Sequence, residues 1–106
     1  MTKFMVRASY TAEGTKGLMK EGGSSRKATV GNLIKGLGGN MEVFYYAFGE
    51  TDVYVICDLP DSATAVALNM VINATGAVKV SLIPLLNVED VDAACKKSIP
   101  YRAPGA

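Results

Sequence analysis

Four polar residues stand out in two otherwise apolar segments of the chain. Arg7 and Ser9 lie in the first segment, and Tyr54 and Asp58 lie in a later one. An arginine offers a rigid fork of N–H donors that suits carboxylate or phosphate groups, and hydroxyl groups can add further bonds. If the two segments are neighbouring strands, these side chains share one sheet face and could bind a small polar or anionic ligand. The alternative is a structural ion pair between Arg7 and a carboxylate, such as that of Asp58, at a subunit interface.

A second candidate site is the loop that contains Gly23, Ser24 and Arg26. Ser24 or Ser25 is predicted to cap a following helix, and the first backbone N–H groups of a helix can bind an anion. Arg26 would add positive charge. The spacing differs from that of a P-loop, and the alternative is ordinary helix capping beside a solvated basic turn.

The composition excludes several kinds of chemistry. The chain contains no histidine, so Ser-His-Asp and Cys-His catalysis are excluded within one chain. Two cysteines alone cannot complete a structural zinc site, and we expect neither a metal nor a cofactor. A formal net charge of +1 argues against nucleic-acid and membrane partners. Cys57 and Cys95 are too few for a disulfide framework, which favours reduced thiols in a cytoplasmic protein.

The hydrophobic pattern predicts four strands and four helices. Strands are expected over residues 3–10, 41–48, 53–59 and 77–86. Thr11, Asp61 and Asn87 are predicted N-caps, and paired glycines should stop the second helix. The link over residues 49–52 is short enough for a hairpin, so the second and third strands should be antiparallel.

This order of elements is βαββαβ with extra helices, within a single domain over residues 1–106. Two crossovers around a central hairpin give the ferredoxin-like split βαβ fold, of the α+β class. Its antiparallel four-stranded sheet should have the spatial order fourth, first, third, second strand.

Apolar runs over residues 43–48 and 53–57 lack the alternation that a half-exposed sheet requires. They predict burial on both faces, and a second copy of the chain is the simplest cover for the open face. Face-to-face packing of two sheets would give a dimeric α/β barrel. The alternative is that tyrosines line a wet face. The third helix is apolar on nearly every side, which predicts burial from several directions.

The C-terminal arm over residues 98–104 cannot continue the last helix, because Pro100 blocks it. The arm carries Ile99 and Tyr101, which a free tail gains nothing by exposing. We expect it to lie along the fold or along a neighbouring subunit, with Tyr101 as the anchor.

Several segments together resemble the GYD domain family, which is named after a Gly-Tyr-Asp triplet at the hairpin turn. The resemblance is carried by residues 47–53 and 58–61 and extends to residues 10–14, 21–26, 73–78 and 97–102. Thr51 stands where the naming tyrosine is expected, so the role of that ring is absent here unless Tyr54 supplies it. The resemblance implies a ferredoxin-like, dimeric α/β-barrel architecture.

The leading functional hypothesis is a homo-oligomer that binds a small molecule between its sheets. A rival is a cofactor-free enzyme of the monooxygenase or isomerase type that the fold resembles, with Arg7 and Tyr54 as its key residues. A third possibility is a structural assembly module, which the proline-containing arm suggests.

Overall fold

Four strands and four helices make up the chain in a computed structural model that describes all residues, 1–106. In chain order they are β1 Thr2–Tyr10, α1 Ala12–Glu21, α2 Gly23–Gly36, β2 Asn40–Tyr46, β3 Val53–Leu59, α3 Ser62–Ala74, β4 Val78–Pro84 and α4 Val88–Cys95. All strand pairs are antiparallel and the sheet order is β2-β3-β1-β4. The predicted ferredoxin-like fold and strand order are confirmed.

The core lies between one face of the sheet and the helices. Alternate residues of β1 and β3 point into it, including Phe4, Val6 and Val55, and Leu59 and Cys57 are fully enclosed. Burial raises the pKa of the Cys57 thiol to about 11, so this cysteine behaves as a small apolar side chain. Full burial of a large apolar side chain such as that of Leu59 contributes about 1.5–3 kcal/mol to the free energy of unfolding, relative to leaving it exposed.

The predicted caps of α1 and α3 are confirmed. The Thr11 hydroxyl accepts a hydrogen bond from the Gly14 N–H at 3.2 Å. The Asp61 carboxylate accepts one from the Thr64 N–H at 2.8 Å, and this bond lowers the pKa of Asp61. At the start of α4, Asp90 Oδ2 accepts from the backbone N–H of Asn87 at 3.2 Å. Side-chain caps thus fix where three of the helices begin.

The start of α2 differs from the prediction, since neither Ser24 nor Ser25 caps it. Gly22 both ends α1 and precedes α2, with φ 88° and ψ 157°, a conformation open essentially to glycine alone. The Tyr46 hydroxyl donates to the Gly23 carbonyl at 3.0 Å and thereby ties the first residue of α2 to the sheet. The two helices are therefore joined by one residue, and the serines fall inside the first turn.

Strand β2 ends at Tyr46, two residues earlier than predicted. Phe48 has φ 55°, a left-handed conformation that a strand cannot include. The turn is instead closed by the Ala47 N–H, which donates to the Asp52 carbonyl at 2.8 Å. The ring of Phe48 stacks on that of Tyr46, with the ring centroids 5.5 Å apart, while the Phe48 backbone keeps its left-handed conformation.

Helix α3 is not buried from several directions within the chain. Only Ala65 and Leu68 are buried, whereas Val66, Met70 and Val71 are each more than half exposed. The prediction was wrong because a single helix layer covers the sheet, so α3 has the sheet on one side only. No helix in the chain has both the length and the apolar character needed to cross a bilayer.

The C-terminal arm extends away from the domain. Every residue over 86–106 is exposed, and Ile99 and Tyr101 are each 76 % exposed. The radius of gyration is 17.1 Å, against about 13 Å for a compact chain of this length. The arm therefore does not dock on its own chain. Docking on a neighbouring subunit remains a prediction.

Deletion of residues 98–106 should weaken self-association and leave the fold intact. The deleted residues are all exposed in their own chain, but burial of Ile99 and Tyr101 on a partner would be worth about 1.5–3 kcal/mol each before ordering costs. We expect the dissociation constant of the dimer, measured by sedimentation over a dilution series, to rise about tenfold or more. Deletion of residues 103–106 is the control. Equal dissociation constants for all three proteins would show that the arm takes no part in assembly.

Candidate functional site

The open face of the sheet, which no helix covers, is built of rows that run across all four strands. Pairing of the strands places Val43, Ile56, Met5 and Ile83 in one apolar row. The adjacent row consists of Tyr45, Tyr54, Arg7 and Ser81. An apolar row beside a polar one gives this face both a surface for packing and a place for a ligand.

Arg7 lies at the centre of the polar side of this face. Its Nη2 donates to Thr51 Oγ1 at 3.0 Å, and Thr51 is itself only 5 % exposed. The Arg7 Nε is buried and has no hydrogen-bond partner in the chain. A buried donor of a charged group without an acceptor is costly, so this atom is a point at which an acceptor from outside the chain would be stabilising.

Arg7 lines an open pocket of about 280 Å³, which we call the Arg7 pocket. Six of its seven lining residues are polar or charged, and the lining comprises Arg7, Ser9, Glu50, Thr51, Lys79, Val80 and Ser81. Two cations face one carboxylate there, so the pocket has a net positive charge. The Ser9 hydroxyl donates to the Glu50 carbonyl at 3.2 Å, which ties the β2–β3 turn to β1.

Two of the predicted site residues, Arg7 and Ser9, lie in this pocket together. Tyr54 pairs with Arg7 across β1 and β3 and lies on the same face, with 36 % of its surface exposed. It does not line the Arg7 pocket, and it flanks Arg7 on the side opposite to Ser81.

Asp58 lies apart from the other three predicted residues. Its carboxylate accepts from Lys3 Nζ at 3.1 Å, and Lys3 also pairs with Glu42. Hydrogen bonds from the Lys3 ammonium, first to Glu42 and then to Asp58, raise the pKa of Lys3. Asp58 is therefore part of a carboxylate–lysine cluster at one end of β1, and it does not pair with Arg7.

The residues of the second predicted site are placed around the start of α2. Gly23 is the first residue of the helix, and an added Cβ there would lie 3.2 Å from the Tyr46 ring. Ser24 is exposed in the first turn. The Arg26 side chain is half-buried and lines a cavity on the helix side of the sheet, at the opposite face from the Arg7 pocket.

Sequence reasoning missed Thr51, Lys79 and Ser81 as members of the Arg7 pocket. The signal for Lys79 and Ser81 was their alternation with Val78 and Val80 in β4, which places both on the open face. The pairing of Ser9 with Lys79 and of Arg7 with Ser81 then brings them to the pocket.

The family model of the GYD domain matches residues 4–95, which is most of the chain and includes all of the sheet except the first two residues of β1. The chain belongs to the GYD domain family. Searches of curated proteins and of solved structures each found no match. In this GYD domain Thr51 is the hydrogen-bond partner of Arg7 in the pocket.

Proposed function

We propose that this GYD domain is a homodimer whose open sheet faces meet, and that it binds a small anion in the Arg7 pocket between them. The observation that carries the proposal is the buried Arg7 Nε, which lacks an acceptor in a pocket with a net positive lining.

The donors of the pocket favour a carboxylate or a phosphate group. Arg7 has five N–H donors in a planar fork, and only one hydrogen bond, that to Thr51, occupies them within the chain. A planar carboxylate or a tetrahedral phosphate can accept two of these bonds at once. Lys79 and Ser81 also line the pocket, and their ammonium and hydroxyl groups would supply further donors.

The apolar row next to the pocket supports a second copy as the cover. Val43, Ile56, Met5 and Ile83 form a continuous strip across the sheet, and Tyr45 beside it is 70 % exposed. Two such faces packed about 10 Å apart would exclude water from the strip and shelter the Arg7 pocket. Exclusion of water would strengthen every charge interaction with a bound anion.

We also propose that the protein acts in a reducing compartment, the cytoplasm. This is supported by two unpaired cysteines, of which Cys57 is buried and Cys95 is exposed.

Thermal unfolding in the presence of acetate, benzoate and phosphate tests the anion site. At ten times its dissociation constant a ligand stabilises the folded state by about 1.4 kcal/mol, which is a Tm rise of about 5–10 °C for a domain of this size. We expect at least one anion to give such a rise in the natural protein and in Lys35→Gln, and none to do so in Arg7→Gln. Lys35 is a suitable control because it is an exposed cation of α2, on the helix side of the sheet.

Two outcomes would contradict the anion site. Equal stabilisation of Arg7→Gln would place the anion elsewhere. No stabilisation by any anion, with the dimer intact, would favour the alternative in which a carboxylate of the partner subunit pairs with Arg7. If Arg7 and Tyr54 instead serve an enzyme, substitution of both must abolish a measurable turnover.

A further inference from the structure

We infer that the chain has a second ligand site, on the helix side of the sheet, which takes an α-amino acid with an aliphatic side chain. The inference rests on a cavity and an adjoining groove that share Tyr10, Arg26, Ile72 and Val78 in their linings. This site is independent of the Arg7 pocket, because alternate residues of β1 place Val6 and Ala8 toward the cavity and Arg7 toward the opposite face.

The inner cavity is small and apolar. It has a volume of about 60 Å³ and lies between the sheet and helices α2 and α3, with walls that include Val30, Phe44, Val55 and Ile72. An apolar cavity of about 150 Å³ stays dry and accepts benzene. One of less than half that size is too small for an aromatic ring and takes only the methyl end of a short branched alkyl group, whose remaining carbons would lie in the adjoining groove. Such a cavity offers water too few polar partners to be filled by it.

Arg26 is the charged residue in the wall of this cavity, and its position is fixed by the start of α2. Its backbone N–H donates to the Gly22 carbonyl at 3.2 Å within the first turn, and that turn is tied to the sheet through the Tyr46 hydroxyl and the Gly23 carbonyl. The ion pairs of the chain all involve Lys3, so the guanidinium of Arg26 has no carboxylate bound to it. A half-buried guanidinium beside an apolar cavity is suited to a ligand carboxylate.

The adjoining groove carries the opposite charge. Glu13 and Glu21 of α1 line it together with Arg26, and neither glutamate forms an ion pair in the chain. Two carboxylates would repel a simple anionic head group, whereas a zwitterion can place its carboxylate at Arg26 and its ammonium at a glutamate. An aliphatic α-amino acid combines this head group with an alkyl side chain for the cavity.

Calorimetric titration of the full chain with L-leucine and three analogues tests the inference. 4-Methylpentanoate lacks the ammonium group, 3-methylbutylamine lacks the carboxylate, and glycine lacks the alkyl group. Loss of one charged hydrogen-bonded contact or of the buried alkyl group is worth about tenfold or more in affinity. We expect L-leucine to bind and each analogue to bind at least about tenfold more weakly.

Variants of the chain provide the second arm of the test. Arg26→Gln and Glu21→Gln should each weaken L-leucine binding about tenfold or more. Lys27→Gln, an exposed neighbour of Arg26 outside the lining, should leave it unchanged. Val30→Phe fills the cavity and should abolish binding. If that variant fails to fold, the comparison of L-leucine with glycine decides whether the alkyl side chain contributes to binding.

The inference is overturned if L-leucine does not bind, if either charged fragment binds as tightly as L-leucine, or if Arg26→Gln binds as tightly as the natural chain. Equal affinities for glycine and L-leucine would likewise exclude the cavity as the site of the ligand side chain.

Discussion

Replacement of Gly14 by alanine should lower the free energy of unfolding by about 2 kcal/mol, although alanine is the better helix former. A Cβ on Gly14 would lie 1.9 Å from the Ala77 carbonyl oxygen. That oxygen accepts hydrogen bonds from both the Thr11 N–H and the Thr11 hydroxyl, each at 3.1 Å, so its movement would break both bonds. Overpacking costs about 1–3 kcal/mol and the lost bonds add to it, which outweighs the gain in helix propensity of about 1 kcal/mol.

Gly17→Ala is the matched control, since Gly17 lies in the same helix with nothing within 4 Å of an added Cβ. This variant should be more stable than the natural chain by up to about 1 kcal/mol. Urea unfolding of the three proteins measures both effects. A change of the same sign in the two variants would show that the close approach to the Ala77 carbonyl does not decide the role of Gly14.

Ile56→Asp should convert the proposed dimer to a monomer. Ile56 lies in the middle of the apolar row on the open face, between Val43 of β2 and Met5 of β1. In a face-to-face dimer the substitution buries two carboxylates without partners, at several kcal/mol each. We expect the dissociation constant to rise by at least about a thousandfold, measured by sedimentation equilibrium, while circular dichroism keeps the signature of the folded domain.

Val66→Asp is the control for this substitution. Val66 is an apolar residue of α3 that is 55 % exposed. It lies on the helix side of the molecule and not on the open face of the sheet. It should leave the dimer intact. Dissociation by Val66→Asp alone would place the interface on α3 and would contradict packing through the sheet.

The fold was predictable from the sequence because local signals agreed with one another. The alternation in β1, the short link between β2 and β3, and the cap residues Thr11 and Asp61 each act within a few residues. The start of α2 was not predictable in the same way. It depends on a hydrogen bond from Tyr46, which is remote in sequence, and on a glycine conformation that competes with the serine caps.

The candidate site was predictable only in part, because strand register decides which polar residues meet. Arg7 and Ser9 share a face by strand periodicity alone. The register of β1 on β3 places Asp58 opposite Lys3, four pairs away from the Tyr54–Arg7 pair. Which of Tyr54 and Asp58 lies opposite Arg7 cannot be read from either strand alone. The turn between β2 and β3 brings Thr51 to Arg7, and this turn includes the left-handed conformation of Phe48.

The most direct test of the Arg7 pocket follows the Nε–H group of Arg7 itself by nuclear magnetic resonance. The chain has three arginines, Arg7, Arg26 and Arg102, so the Nε–H signals can be assigned by single Arg→Lys substitutions. We predict that titration with acetate or phosphate shifts the Arg7 Nε–H signal saturably and slows its exchange with water, while the Arg102 signal stays in place. An Arg7 signal that does not move when these anions are added would contradict the account.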